Sequence, residues 1–458
     1  MASLSIEELR QKHPTFTYKS YGISRENNDL LITHHFVIEP DIEFHTKLII
    51  PNAPDNLESN YLYNFAFQLG LVEMISYWKA TCSPQIIIEA GALRLSQIEW
   101  WKSVLLHGLG EFFYRNNIDF SQPDFLTMTS NRSDFYSIPE VQSENTGNLI
   151  LVSGGKDSSV MLETLKPSPQ SDQLLLVNPT QAALDQTQIA GFTSPIIIKR
   201  NIDPKLIELN SLGYLNGHTP FSAYLAFVGV LVASLYKKKY VVVANEKSAS
   251  ESNVSFHGME INHQYSKSYA FESRFRSYAK EYVSKESEYF SFIRPIFDLQ
   301  VGQLFSKFSL FHQTFRSCNV GQKENKWCGT CPKCAFVYLT LFPFFSYEQV
   351  LGIFGSDFFT HQEIAQHLRG LVGLEKEKPF ECVGTVDESK LAVQMCIEKY
   401  ELEGQPLPPI LVELQESIGI KNPAEFEQLK TKILKNWDTD HFLPEQFEQL
   451  LKLQLEMQ

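Results

Sequence analysis

Residues 30–38 (LLITHHFVI) and 44–50 (FHTKLII) alternate apolar and polar positions, the two-residue period of half-buried strands. The period then lengthens. Between Tyr61 and Lys79, the apolar residues Phe65, Leu69, Val72, Ile75 and Tyr77 fall broadly on one side of a helix. Between Leu95 and Tyr114, Trp100, Trp101, Leu105, Leu109 and Phe113 do the same. Residues 124–147 are rich in Ser, Asn, Asp and Pro and read as a linker. Beyond it, short apolar runs at 148–152, 173–177, 195–198 and 240–244 are separated by helical stretches at 159–165, 181–189 and 219–236. Uninterrupted apolar strands alternating with helices predict a parallel sheet covered on both faces. Residues 346–458 are charged and helix-forming, with a Pro-rich break at 406–409. The expected architecture is α/β in three parts: an α+β region over 1–145, a central parallel-sheet domain over 146–345 and a mainly helical region over 346–458.

Composition narrows the class. The chain has 458 residues, which suits about three domains. Lys and Arg total 40 against 53 Asp and Glu, a formal charge of −13. That balance argues against nucleic acid or anionic lipid as a partner, since both need a basic surface. With 43% hydrophobic residues, including 34 Phe and 19 Tyr, a disordered chain is excluded. The uncharged stretch Thr219–Tyr236 approaches the length of a membrane span. It carries Pro220, Ser222 and Ser234 and lies between two apparent strands, so it reads as a buried helix. The first ten residues show neither the basic nor the apolar region of a signal peptide. Four of the seven cysteines crowd into one segment, which speaks against a disulfide scaffold. The expected compartment is the cytoplasm.

The chemistry concentrates after the first apolar run of the middle stretch, in Ser153-Gly154-Gly155-Lys156-Asp157-Ser158-Ser159. A buried strand ends there and a helix begins within three residues. Two glycines let the backbone turn sharply and aim successive N–H groups into one anion-binding concavity at a helix start. Ser153, Ser158 and Ser159 add hydroxyl donors and Lys156 a positive charge. Asp157 repels phosphate, so its expected work is to hold Mg²⁺ beside it. The GxxxxGK[ST] spacing of a Walker A loop is absent. The segment instead resembles the Ser-Gly-Gly-X-Asp-Ser loop of the PP-loop ATP pyrophosphatases, the adenine nucleotide α-hydrolase-like superfamily. That resemblance implies ATP as cofactor, pyrophosphate held in the loop and AMP transferred to a substrate oxygen. It also implies Asn178, at the end of the second strand, as a ribose or base contact. Asn245 and Glu246 follow the fourth strand at the same rim, where they read as ligand groups or as helix caps.

Cys318, Cys328, Cys331 and Cys334 have the spacing of a closed tetrahedral Zn²⁺ site, with buried reduced thiols as the alternative. The 7-cyano-7-deazaguanine synthases, another PP-loop family, carry a similar arrangement. Four thiolates leave no open position, so such a zinc would be structural. Cys82 and Cys396 read as core residues.

Further segments serve no general ATP-site need: Asn216-Gly-His218-Thr-Pro-Phe-Ser-Ala223, Ser252-Asn-Val254, Asn262-His263-Gln-Tyr-Ser-Lys267-Ser268, Phe290-Ser-Phe-Ile-Arg-Pro295 and Pro379-Phe-Glu-Cys382-Val-Gly-Thr385. With Leu69-Gly70-Leu-Val-Glu73-Met-Ile-Ser-Tyr77-Trp78-Lys79 and Trp100-Trp101…Gly108-Leu-Gly110-Glu111-Phe-Phe-Tyr114, they resemble the ATP-dependent UDP-N-acetylmuramoyl-L-alanyl-L-glutamate epimerases of bacterial peptidoglycan synthesis, over roughly residues 15–400. The resemblance implies conversion of the terminal L-Glu of UDP-MurNAc-L-Ala-L-Glu to D-Glu, with ATP becoming AMP and diphosphate. Adenylation makes chemical sense, because a free carboxylate leaves an α-carbanion nowhere to place its charge. His218, His263, Lys267 and Cys382 are the acid/base candidates; each histidine also reads as a structural hydrogen-bonder, and Cys382 as part of a core strand. Lys247, Lys267, Arg274, Arg276, Arg294 and Arg316 are available to a polyanionic substrate. Two other readings stay open. One is a PP-loop amidotransferase, nitrile-forming or thiolating enzyme acting on a nucleobase or small carboxylate. The other is an ATP-binding sensor or zinc scaffold without chemistry, against which the Lys156-Asp157 pair argues.

Overall fold

The alternating N-terminal segments form an antiparallel meander. Thr15–Glu26 pairs with Asp29–Ile38, which pairs with Ile42–Ile50, and Phe36 faces Phe44 across the second pair. Every second side chain of Ile42–Ile50 faces inward, as its period requires. The computed structural model describes residues 5–138, 145–418 and 422–456. They divide into two compact units assembled from separated segments: 1–149, 196–241 and 255–289 in the first, and 150–195, 242–254 and 290–458 in the second. The architecture is α/β.

In the first unit the strand order is Ile196–Asn201, Ile42–Ile50, Asp29–Ile38, Thr15–Glu26, Gln85–Ile88, Thr127–Ser130. The last two pairings of this run are parallel. Thr127–Ser130 lies inside the segment read as a linker, of which residues 139–144 are outside the described residues. Its short polar run TMTS carries no periodic signal and is a strand only through its pairing. The helical pattern at 61–79 becomes Ser59–Glu73 and Ile75–Trp78, and the first is buried on nearly all sides. Gly70 explains the close packing, since a Cβ there would sit 2.0 Å from the Tyr18 hydroxyl oxygen. Phe221–Leu235 is the buried helix expected from its composition, and no helix among the described residues is long and apolar enough to cross a membrane.

A buried ion pair ties this unit together. Arg200 donates to both oxygens of Glu73, Nε at 2.8 Å and an Nη at 3.0 Å, and the guanidinium lies 4.7 Å from the centre of the Tyr224 ring. The Glu73 side chain is 2% exposed and that of Arg200 12%. Neutralising one partner of such a pair leaves the other charge poorly compensated, so Glu73→Gln should destabilise the protein by about 3 kcal/mol. Chemical denaturation checks this; a change below about 0.5 kcal/mol would mean the pair is effectively solvated.

Around the apolar strand before the Gly-Gly turn the order is Glu288–Ser291, Tyr240–Val243, Asn148–Leu151, Gln173–Val177. The helix Lys156–Leu165 joins Asn148–Leu151 to its neighbour Gln173–Val177, the strand–helix–strand connection the alternation implied. Most of the second unit after residue 297 is helical. Pro332, Pro409 and Pro423 each open a helix, where their missing N–H costs nothing. Thr385 and Glu388 form a capping box at the start of Val386–Leu402.

Candidate active site

The Gly-Gly turn forms a tight cradle in the second unit. Gly154 has φ +88°, and a Cβ there would come within 2.7 Å of the Ala183 backbone nitrogen. Only glycine meets both constraints. The helix Lys156–Leu165 starts immediately after Gly155 with no side-chain cap on its first N–H groups, the arrangement that suits an anion. Ser153 N–H donates to Ser158 Oγ at 3.0 Å, and the two hydroxyls lie 2.9 Å apart. Gln186 locks the turn from behind, its Nε2 donating to Gly155 O at 3.1 Å and to Ser159 Oγ at 2.9 Å.

Lys156 turns inward. Its side chain is 1% exposed, and its Nζ donates to Asp157 Oδ1 at 2.5 Å and to Asp298 Oδ2 at 2.8 Å. Burial lowers its pKa, but the carboxylates of Asp157, Asp298 and Glu246 outweigh that and raise it well above an ordinary lysine. One oxygen each of Asp157, Glu246 and Asp298 lies within 4.8 Å of the others. Asp298 Oδ1 is buried without a hydrogen-bond partner, and burial pushes this carboxyl up against the pull of Lys156. Three hard oxygen donors, one of them orphaned, fit a small divalent cation such as Mg²⁺. The shell behind them is also satisfied. Asp298 N–H donates to Ser248 Oγ at 3.0 Å, and Arg294, 2% exposed, donates to Glu246 O at 2.6 Å. Glu388 accepts from Leu299 N–H at 3.0 Å.

The four clustered cysteines converge in the same unit, with every Sγ within 4.8 Å of the rest. Cys328 and Cys334 Sγ are 3.7 Å apart, close to the roughly 3.8 Å edge of a tetrahedron with 2.3 Å Zn–S bonds. Backbone N–H groups point at the sulfurs: Gly321 and Cys328 at Cys318, Thr330 and Cys331 at Cys328, and Cys334 at Cys331. The Cys334 thiol, with its backbone N–H, holds Cys331 down to about 4. The donor set fits Zn²⁺. Two residues before the first of these cysteines, Arg316 N–H donates to Gly154 O at 2.9 Å, and Ser317 Oγ would be 3.0 Å from a Cβ on Gly155. The thiol segment thus backs the Gly-Gly turn.

In the first unit, His218 and His263 come together around Glu111. His263 Nδ1 is 2.5 Å from Glu111 Oε2, His218 Nδ1 is 3.7 Å from the same oxygen, and Arg115 Nε donates to Oε1 at 2.6 Å. The imidazole centres are 4.3 Å apart. Burial and the adjacent His263 hold His218 down to about 3. Burial pushes the Glu111 carboxyl up, yet His263, Arg115 and His218 together bring it below an ordinary glutamate. Lys267 ends the short turn Tyr265–Lys267, and its charge bears on His218. Lys79, buried and lowered to about 8, donates to the Gly217 carbonyl and so fixes the loop before His218.

Asn178 follows the strand Gln173–Val177 with φ +46° at an exposed position. Asn245 is buried, its backbone bonded in both directions by Ser291 Oγ at 2.6 Å. Cys382 belongs to the second unit, in a bend rather than a strand, and its carbonyl accepts from Lys333. Among the cations, Lys247 pairs with Asp438, Arg274 donates to Ser103 Oγ, Arg276 to Tyr289 O and Arg316 to Gln313, Phe315 and Asn325 carbonyls. Sequence reasoning missed Asp298, Gln186 and the role of Glu111. A lone Asp at a helix start reads as a cap, and only its position three residues past Phe290–Pro295 hinted otherwise.

The family description MurL N-terminal domain matches residues 7–292, and MurL C-terminal domain matches residues 312–424. The UDP-N-acetyl-alpha-D-muramoyl-L-alanyl-L-glutamate epimerase of Micromonospora sp. is 32% identical over 419 residues, 89% of this chain and 92% of that protein. Proteins of the same name from Salinispora tropica and Xanthomonas oryzae are each 30% identical, covering 91% and 85% of this chain and 92% and 88% of their own. No solved structure gives a significant match. With both domain descriptions matched and such identity over most of its length, the chain belongs to the MurL family of epimerases and is an isomerase.

Proposed function

We propose that the chain converts the terminal L-Glu of UDP-MurNAc-L-Ala-L-Glu to D-Glu through ATP-dependent adenylation of a glutamyl carboxylate. Two things support this reading: relatives of that name match across most of the chain, and the Gly-Gly turn combines an anion cradle with the Lys156, Asp157, Glu246 and Asp298 cluster. The cluster is the observation that carries the adenylation step. A carboxylate oxygen attacks the α-phosphorus of ATP and pyrophosphate leaves, giving an acyl-adenylate. Its α-proton passes to a base while the electron pair moves to the acyl oxygen as an enolate. Reprotonation on the other face and hydrolysis then yield D-Glu and AMP.

In this reading the Gly154–Gly155 turn and the first N–H groups of Lys156–Leu165 bind the leaving pyrophosphate, helped by Ser153, Ser158 and Ser159. Asn178 and Asn245 contact the nucleoside. Asp157, Glu246 and Asp298 would hold Mg²⁺, which neutralises phosphate charge when bound. Lys156 keeps Asp157 and Asp298 in place. Cys318, Cys328, Cys331 and Cys334 would hold a structural Zn²⁺. Proton transfer falls to His218 and His263, with Lys267 adding positive charge beside them.

The test uses purified protein with ATP, Mg²⁺ and the UDP-linked dipeptide in D₂O. D-Glu, AMP in proportion to turnover and deuterium at the α-carbon are expected. AMP release only when ammonia or a sulfur donor is added would point instead to an amidating or thiolating enzyme.

A further inference from the structure

We propose that Glu111, His263 and His218 form one proton relay serving a single face of the substrate α-carbon, with Glu111 as its positioning residue; this rests on the epimerase reading above. Epimerisation needs proton exchange on two opposite faces, so two neighbouring histidines invite assignment as the two opposing bases. The geometry argues otherwise. A carbon attacked from both sides needs each base roughly 3–3.5 Å away, which separates the opposing nitrogens by about 6–7 Å and turns their lone pairs toward each other. Here the ring centres are 4.3 Å apart at 43°, and both Nδ1 atoms approach the same Glu111 Oε2, at 2.5 and 3.7 Å. Rings that converge on one oxygen through Nδ1 present their far edges side by side or diverging. They cannot clasp a carbon between them.

Charge leads to the same conclusion. Glu111 is one carboxylate with a 7% exposed side chain, and its other oxygen is taken by Arg115 at 2.6 Å. One carboxylate, already shared with Arg115, can compensate at most one imidazolium. A second, in contact with the first and in the field of Lys79 and Lys267, would be repelled. The three side chains therefore share one mobile proton. When an imidazole takes the α-proton, the Cα–H bond breaks, its electron pair enters the enolate of the acyl-adenylate, and the new positive charge is met by Glu111. The enolate carbon then takes its proton on the opposite face from a donor outside this relay, which water replenishes. The elements packed around the relay contribute Arg115 from Gly110–Arg115, Lys79 after Ile75–Trp78 and Lys267 from Tyr265–Lys267.

The test compares wild type, His218→Ala, His263→Ala, Glu111→Gln and Glu111→Asp in D₂O, starting separately from the L-Glu and D-Glu forms of the UDP-linked dipeptide. ATP–pyrophosphate exchange is measured in parallel as a control for folding and adenylation. All three charge- or ring-removing variants should lose about 100-fold or more of α-deuterium incorporation from the same one epimer. They should keep incorporation from the other epimer and keep ATP–pyrophosphate exchange, and Glu111→Asp should recover part of the loss. Loss from opposite epimers in the two histidine variants would overturn the relay. So would Glu111→Gln within threefold of wild type, or equal loss of ATP–pyrophosphate exchange in every variant. A divalent metal equivalent that disappears with His263→Ala would overturn it too, because the imidazoles would then be ligands. A wild type that epimerises normally isolates any such failure to the relay, whereas one that exchanges no α-proton brings down the epimerase reading itself.

Discussion

Asp298→Asn should lower ATP–pyrophosphate exchange by about 10³-fold or more, with secondary structure preserved. The reason is a charge count in a buried space. Asp157, Glu246 and Asp298 gather around the ammonium of Lys156, and the surplus of carboxylate charge over that ammonium suits a divalent cation. Asp298 Oδ2 is engaged by Lys156, while Oδ1 is the buried oxygen without a hydrogen-bond partner. Asparagine keeps the shape, loses the charge and removes one hard donor. Losing one preorganised electrostatic contact at a phosphoryl-transfer site typically costs 10²–10³ in rate, and losing a metal ligand costs more. A Mg²⁺ titration separates the causes: the variant should need far more Mg²⁺ for the same exchange rate. An unchanged Mg²⁺ dependence would remove Asp298 from the metal set and leave it as a clamp on Lys156 alone.

Cys331→Ser carries the second large effect. Protein as purified should hold one equivalent of zinc, and the variant should lose it. The expected destabilisation is at least about 3 kcal/mol, a fall in melting temperature on the order of 10 °C for a unit of this size. Nucleotide affinity should drop in parallel, through the backbone that leads into the quartet. The link is Arg316 N–H on the Gly154 carbonyl and Ser317 against Gly155, both carried by the segment that leads into Cys318. Once the quartet lets go, that segment no longer supports the turn. Cys82→Ala is the control, since Cys82 is a buried thiol of the first unit and should leave metal content and nucleotide binding untouched. Wild-type protein that purifies without zinc would reduce the cluster to packed thiols.

How much of this could be read from the chain depends on how local each feature is. The Gly-Gly turn was legible because its determinants are consecutive: Gly154 has its left-handed backbone and Gly155 its close neighbour within the seven residues 153–159. The cysteine quartet spans only residues 318–334, so spacing alone implied convergence. Strands such as Gln173–Val177 and Ile42–Ile50 followed from periodicity, because burial on one or both faces leaves a direct trace in the pattern. Thr127–Ser130 left none, as an edge strand of polar residues is defined by its neighbour. The cations available to a polyanionic substrate were equally opaque. Arg294 and Arg316 proved to be internal fasteners on backbone carbonyls, a use that side-chain type does not reveal.

The sequence by itself determined the α/β class, the Gly-Gly turn with its lysine and aspartate, and the thiol quartet. It did so because backbone conformation, strand burial and short-range ligand spacing are properties of neighbouring residues. Only the tertiary structure decided that Asp298 completes the carboxylate cluster and that Glu111 gathers His218 and His263. It also decided that segments 196–241 and 255–289 fold with the N-terminal stretch. Those groupings join residues from about 50 to 150 positions apart, and long-range packing of apolar faces, not any local preference, sets which buried charges share a site.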